Sequence, residues 1–214
     1  MALRIQTFIS GPLQTNVYLL EDTEKQQAVI VDPSFINPQA QAAAEKMVDS
    51  GVSLKAIWLT HAHLDHWQDS GFWQRTYNLP VYLHRDDQIW TEDPKEQAMW
   101  LNFPEPDVAN VDHWMEENQI LSVGNYQFQV IHTPGHSPGS VSFYCAPENL
   151  VIDGDVLFAG SVGRTDLPEG DSATLRNSLR KLMALPPQTK VLSGHGPSTT
   201  IKDEAENNPF CRNL

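Results

Sequence analysis

Residues 59–67 read "LTHAHLDHW" and place His61, His63, Asp65 and His66 within six positions. On a strand, side chains 61, 63 and 65 share one face and 66 points away. On a helix, only 61 and 65 come onto the same side. Neither regular element aims all four at one point. A tight loop at the end of a strand does, especially where His63 to His66 curl into the start of a helix. Imidazole and carboxylate suit zinc, iron or manganese. The alternative is an incidental histidine-rich surface loop. The apolar residues leading in, and Trp67 following, argue against free exposure.

Four such donors could close one structural zinc, whereas a catalytic centre keeps a coordination position open. Further donors therefore matter, and three stretches offer them. "VIHTPGHSPGS" holds His132 and His136, "VIDGDVLF" holds Asp153 and Asp155, and "VLSGHGPS" holds His195. Each follows a strand-like run and is dense in Gly or Pro, which let the backbone turn sharply. Singly, each has a plain structural explanation. Their joint occurrence at strand ends is what points to a site, and spacing alone leaves open which His and which Asp of each pair belongs to it.

The elements that must position these residues come next. "RIQTFIS" alternates apolar and polar residues, "NVYLLED" and "QAVIVD" are apolar and β-branched, and "GP", "DTEK" and "DP" punctuate them. "NPQAQAAAEKMVDSG" reads as a helix that stops at Gly51. "LKAIWL" is a buried strand running straight into the histidine cluster, and "PVYLH" is another. Residues 85–118 are charged and Trp-rich and read as short helices with a long loop. "YQFQVIH", "SVSFYC" and "LVIDGD" are strands, "SATLRNSLRKLMAL" is an amphipathic helix with Leu175, Leu179, Leu182 and Met183 on one stripe, and "KVLSGHG" is a last short strand. The order fits a layered α/β protein with mixed sheets. No linker or fixed-period repeat divides residues 1–214, so one domain is expected.

Bulk properties exclude several partners. A formal net charge of −13 without a basic run disfavours nucleic acid. No apolar stretch approaches the ~20 residues that span a bilayer, and the first residues lack a signal-peptide core. A cytoplasmic protein with no membrane partner is expected. Cys145 and Cys211 read as free thiols.

In sequence order, "GPLQTNVYLL", "AVIVDP", "THAHLDH", "HTPGHSPGS", "GDVLFAGSVGRTD", "GHGPSTTI" and "NPF" resemble the metallo-β-lactamase superfamily, and within it the glyoxalase II-like hydrolases. The resemblance implies an αββα sandwich of two mixed sheets with helices outside. It assigns His61, His63 and His136 to a first metal, Asp65, His66 and His195 to a second, and Asp155 to a bridge between them. It thereby selects His136 over His132 and Asp155 over Asp153, and returns His84, His113 and His132 to structural roles. Arg164 and Asp166 of "GRTD" are expected beside the site, and Asn16 and Asp32 as loop supports or ordinary turn residues.

The implied cofactors are two divalent ions, zinc first, with iron or manganese as alternatives. A water between two such ions loses a proton near neutral pH and can attack an acyl carbon, with Asp65 steering it or accepting its proton. A thiolate leaves without acid assistance because thiols have pKa near 8.5. The expected reaction is therefore hydrolysis of a small-molecule thioester such as S-lactoylglutathione. One departure stands out: the chain ends shortly after "NPF", without the C-terminal helical region that supplies basic groups for glutathione in full-length relatives. Arg75, Arg85 and Lys95 could substitute, or be simple surface charges. The Trp-rich stretch could wall a substrate cleft, although core packing is the favoured role. An export-signalled β-lactamase fits less well. A persulfide dioxygenase holding one iron through His61, His136 and Asp155 is the main rival, and a non-catalytic metal-binding scaffold is the third reading.

Overall fold

The computed structural model describes residues 3–212 and 214. β1 (Leu3–Ser10) and β2 (Thr15–Asp22) form an antiparallel hairpin, and β3 (Gln27–Val31) pairs antiparallel with β2. Helix α1 (Pro38–Asp49) then crosses over so that β4 (Ser53–Trp58) lies parallel to β3. α1 is capped by Asn37, whose side chain accepts from the backbone N–H groups of Gln39 and Ala40, and it ends at Ser50 ahead of Gly51. After β4 come the single turn α2 (Leu64–Trp67) and α3 (Ser70–Tyr77), then β5 (Val81–His84), parallel to β4. α4 (Gln88–Glu92) and α5 (Pro94–Leu101) precede β6 (His113–Met115), which completes a six-stranded sheet in the order β1-β2-β3-β4-β5-β6.

The second sheet begins with β7 (Ile120–Val123), β8 (Tyr126–His132), β9 (Val141–Cys145) and β10 (Leu150–Gly154), each antiparallel to the one before it. The small hairpin of β11 (Leu157–Phe158) and β12 (Ser161–Val162) follows. Helix α6 (Ser172–Met183) crosses over to β13 (Lys190–Ser193), parallel to β10, and β14 (Thr199–Thr200) and α7 (Ile201–Asn207) end the fold. The order is β14-β13-β10-β9-β8-β7.

Four layers result. β2 is buried along its whole length, and its alternation splits between two cores. Val17 and Leu19 pack towards Ala40, Ala44 and Met47 of α1 and Trp73 of α3. Tyr18 and Leu20, with Trp58 of β4, face the other sheet and join Phe128, Val130 and Phe143 in the core between them. Leu175, Leu179 and Leu182 of α6 cover the outer face of the second sheet through Val151 and Val191. This is the αββα sandwich expected. No helix among the described residues is long and apolar enough to cross a membrane, and both cysteines are free and buried.

The stripe on α6 and the stop of α1 match the sequence reading. Residues 85–118 do not match it fully: besides short helices they contain β6, a three-residue edge strand whose pattern is too short to show a period. β7, α3 and α7 were likewise unmarked; β7 is only four residues long, with Ile120 half exposed.

Candidate metal centre

β4 delivers the histidine cluster. The chain leaves β4 at Trp58, and His63, in extended backbone, caps the single turn α2. That turn swings Asp65 and His66 back beside His61, as a loop running into a helix start requires. Asp32, just past β3, fixes the approach. Its Oδ1 accepts from the Thr60 N–H at 2.7 Å, and its Oδ2 accepts from the Thr60 hydroxyl at 2.6 Å and from His66 Nδ1 at 2.9 Å. The Thr60 hydroxyl in turn accepts from His61 Nδ1 at 3.1 Å. The Ser34 hydroxyl donates to the Asp65 carbonyl.

The second sheet brings its donors to the same edge. β8, β10 and β13 run in one direction, so His136, Asp155 and His195 all lie just past strand ends. His136 Nδ1 donates to the Arg164 carbonyl at 2.8 Å, and His195 Nδ1 donates to the Leu13 carbonyl at 3.0 Å. Asn16 anchors the His195 loop, with Nδ2 donating to the Ser193 and Gly196 carbonyls at 2.9 Å each, and a single bridge pairs Thr15 with His195. Gly194 must lack a side chain: a Cβ there would sit 2.1 Å from Asp155 Oδ1.

All seven expected side chains therefore converge. Ligand atoms of His61, His63 and His136 lie within 4.8 Å of one another, as do those of His61, His66 and Asp155, and those of Asp65, His66 and His195. Asp155 touches both ends of the group, with Oδ1 3.4 Å from His66 Nε2 and Oδ2 3.5 Å from His136 Nε2 and 3.4 Å from His195 Nε2. Asp65 Oδ2 is 3.2 Å from His195 Nε2 and 3.6 Å from His66 Nε2.

The donor set fits bound cations. Four imidazoles spend Nδ1 on an outward hydrogen bond, which turns Nε2 inward, the usual support of a metal-binding histidine. His61 Nε2, His63 Nε2, His66 Nε2 and Asp155 Oδ1 are buried without a hydrogen-bond partner. Buried polar atoms are rarely left so, and these orphans belong to residues grouped at one point. His63 Nδ1 lies 2.8 Å from His136 Nε2, so two ring nitrogens face each other directly. One or two divalent cations would satisfy His61 Nε2, His66 Nε2 and Asp155 Oδ1 and would separate the facing His63 Nδ1 and His136 Nε2.

Electrostatics divides the cluster in two. Burial, then the neighbouring imidazoles, holds His61 well below its ordinary pKa, and burial with His136 pushes His63 down to about 3. Both offer lone pairs at neutral pH. At His66 burial opposes charge, but Asp155, Asp65 and Asp32 outweigh it and raise the pKa well above the ordinary value. At His195, burial again opposes, and the hydrogen bonds it donates to Asp155 and Asp65 win, lifting it to about 9. Conversely, His66 and His195 hold Asp65 and Asp155 below the usual carboxylate range despite burial. His195 therefore carries its extra proton below about pH 9 in the cation-free protein, and the raised pKa of His66 favours its protonated form too. Cation uptake must displace these protons. Adding zinc to apo-protein at pH 7 is expected to release about two protons per chain, read with an indicator dye in weakly buffered solution. Affinity should weaken as pH falls, since more protons compete.

A cavity of about 580 Å³ opens on this cluster. His63, Asp65, His136, Asp155 and His195 form its floor, Trp90, Trp100 and Leu101 one wall, and Phe158, Val162 and Leu167 the other. The tryptophans thus divide: Trp67 and Trp73 are core residues, Trp90 belongs to the same core and also lines the cavity, and Trp100 lines the cavity while half exposed. Core packing, the favoured role, holds for the first three and not for Trp100.

Arg164 lines the cavity too, with its guanidinium bonded to Asp166 by two contacts of 2.7 and 2.8 Å. Arg75 is bonded to Asp107, Lys95 to Glu105, and Arg85 lies over the Trp114 ring, so none of the three is a cavity cation. Asp153 is fully buried and accepts from the Leu157 N–H at 2.9 Å, outside the cluster. His84 and His132 stack with ring centroids 4.0 Å apart near Asp86. Their facing nitrogens are engaged: His132 Nε2 donates to the Pro138 carbonyl at 2.8 Å and His84 Nδ1 accepts from the Asp86 N–H at 3.3 Å.

Two supports had no sequence signal. Asp87, fully buried, accepts from the Ala62 N–H at 2.8 Å, the Ser137 hydroxyl at 2.9 Å and the Gly139 N–H at 2.5 Å. One carboxylate thereby ties the His61–His63 loop to the His136 loop. Gln97 accepts from the Leu64 N–H at 3.0 Å and donates to the Ala62 and Trp90 carbonyls at 3.2 and 2.9 Å. Both lie in the charged, weakly periodic region where no spacing sets them apart.

The model of the metallo-beta-lactamase superfamily matches residues 10–195. Among curated relatives, "Probable metallo-hydrolase YqgX" of Bacillus subtilis is 40% identical, covering 94% of this chain and 93% of its own length. "Hydroxyacylglutathione hydrolase GloC" of Haemophilus influenzae is 35% identical, covering 92% of each. Two solved structures at 41% identity superimpose closely. One is described as the BLEG-1 B3 metallo-beta-lactamase, with TM-score 0.87 over 97% of this chain and 99% of the other. The other is TTHA1623 in a di-iron-bound form, with TM-score 0.85 over 96% and 99%. With the layers, the sequence match and these full-length likenesses in agreement, the chain belongs to the metallo-β-lactamase superfamily.

Proposed function

We propose that this protein is a metal-dependent hydrolase that cleaves small thioesters. The observation that carries this is the convergence of seven His and Asp side chains, with orphaned buried Nε2 atoms and Asp155 Oδ1, five of them on the floor of a largely apolar cavity. His61, His63 and His136 would hold one cation, Asp65, His66 and His195 a second, and Asp155 would reach both. A pair of divalent ions supplies Lewis acidity towards an acyl oxygen and makes water a stronger acid.

The chain's own groups do the rest. Asp65 is ionised at neutral pH, and its Oδ2 faces the cavity floor, so it can orient a water or take its proton. The Thr15 hydroxyl, donating to Asp65 Oδ2 at 3.3 Å, helps keep that carboxylate aligned. The apolar walls exclude competing water. In the net reaction the water oxygen bonds the acyl carbon, the C–S bond breaks, and the thiolate leaves with the electron pair. No acid beyond the floor residues is required, because thiols ionise near pH 8.5. The GloC relative, named for hydrolysis of an acylated glutathione, supports this substrate class.

The likeness to a protein described as a B3 metallo-beta-lactamase favours a second reading, cleavage of a cyclic amide. The test is purified, metal-quantified protein assayed on a thioester panel beside a chromogenic cephalosporin. Thioester turnover that disappears on chelation and returns with added metal supports the proposal. Cephalosporin turnover with inert thioesters would move the assignment to the lactamase. One iron per chain with thiol-dependent oxygen uptake would move it to a dioxygenase.

A further inference from the structure

We infer that the preferred substrate is a neutral thioester with an apolar acyl chain, rather than one carried on glutathione with its two carboxylates. This deepens the hydrolase reading and rests on it. The observations concern the walls of the cavity, which the proposed chemistry leaves unassigned.

One wall is aromatic. Trp90 and Trp100 meet edge to face at 6.3 Å, with Leu101 beside them. The opposite wall is Phe158, Val162 and Leu167. Trp100 stays 56% exposed and Leu101 37%. Large apolar side chains left open at a cavity mouth mark a surface that a ligand covers. The volume of about 580 Å³ falls within the ~300–1,000 Å³ of small-molecule sites.

Charge points the same way. Glutathione presents two carboxylates that need cationic partners. Among the described residues, Arg164 is the single Lys or Arg lining the cavity, and Asp166 already occupies its guanidinium in two-point contact. Arg75 and Lys95 are likewise paired elsewhere. The chain's net charge of −13 adds long-range repulsion to a net anionic thiol carrier. An apolar acyl chain gains from these walls, and a neutral thiol half avoids the missing cations.

The test uses the fully metal-loaded enzyme on matched substrates: acetyl and hexanoyl thioesters of N-acetylcysteamine, and lactoyl and hexanoyl thioesters of glutathione. Each buried methylene contributes a few-fold, so hexanoyl should exceed acetyl by about tenfold or more in kcat/KM. The hexanoyl thioester of N-acetylcysteamine should also exceed both glutathione thioesters. Equal or faster turnover of the glutathione thioesters overturns the inference and leaves the hydrolase standing. Inertness of all four overturns both. A readout without turnover is the Kd of two unreactive thioethers, S-hexyl-N-acetylcysteamine and S-hexylglutathione, followed by tryptophan fluorescence. The neutral thioether should bind about tenfold more tightly, and equal binding contradicts the inference. Trp100→Ala, with its fold checked by thermal melting, should lose the chain-length preference. A preference that survives the substitution places the acyl chain elsewhere and overturns the assignment.

Discussion

Asp155→Asn is expected to lower kcat/KM for any thioester substrate by at least about a thousandfold and to reduce bound metal to at most one ion per chain. The reason is positional. Asp155 alone faces imidazoles of both groups, with its two oxygens 3.4–3.5 Å from His66, His136 and His195. Asparagine keeps the size but loses the charge, and its NH₂ group would present hydrogens where an oxygen is needed. The fold should survive, since the carboxylate accepts no backbone hydrogen bond. Metal content by plasma emission, kcat/KM and the melting temperature check the three parts. An Asp155→Asn enzyme with two ions and near-normal turnover would refute the shared-carboxylate arrangement.

Asp87→Ala is expected to destabilise the protein by about 3 kcal/mol, because three buried donors lose their acceptor at once. It should also lower activity at least tenfold, although Asp87 touches neither the cavity nor any proposed ligand side chain. It works through the Ala62, Ser137 and Gly139 contacts, which set the loops bearing His61, His63 and His136. Chemical denaturation and steady-state kinetics measure the two effects. The pH dependence supplies a separate check. Burial, against the bonds from Ala62, Gly139 and Ser137, raises the Asp87 pKa from 3.8 to about 6. Between those values the folded state binds more protons than the unfolded one, so this group's contribution to stability falls as pH rises from about 4 to about 6. Asp87→Asn cannot ionise and should lack that part of the slope.

These two positions mark how far the sequence could be read. His61, His63, Asp65 and His66 announce themselves because polar donors crowd a short stretch after an apolar strand. Asp155 and His136 become identifiable only through the ordered series of motifs around them, since spacing alone does not separate them from Asp153 and His132. Asp32 and Asn16 lie in recognisable strand-end motifs, and both prove to hold loops. Asp87 and Gln97 are invisible for a physical reason. Their roles depend on backbone groups more than twenty residues away, and nothing local in "HRDDQIW" or "KEQAMW" encodes such a partner. The same limit explains the tryptophans. A Trp-rich run shows that large surfaces will be buried, but whether by core or by ligand depends on the direction each ring takes once α4 and α5 are folded. Long periodic elements such as α1 and α6 are legible to within a residue or two, and the four-residue β5 and β13 show as apolar runs, while the comparably short β6 and β7 do not.

One sheet contributes His61, His63, Asp65 and His66, and the other contributes His136, Asp155 and His195. Each cation would therefore act as a rivet between two halves of the sandwich. Only the docked form can grip it, so by mass action metal supply becomes resistance to unfolding. The cohesion of this protein would then follow the metal economy of its cell, and starvation for metal would endanger the molecule itself as well as its turnover.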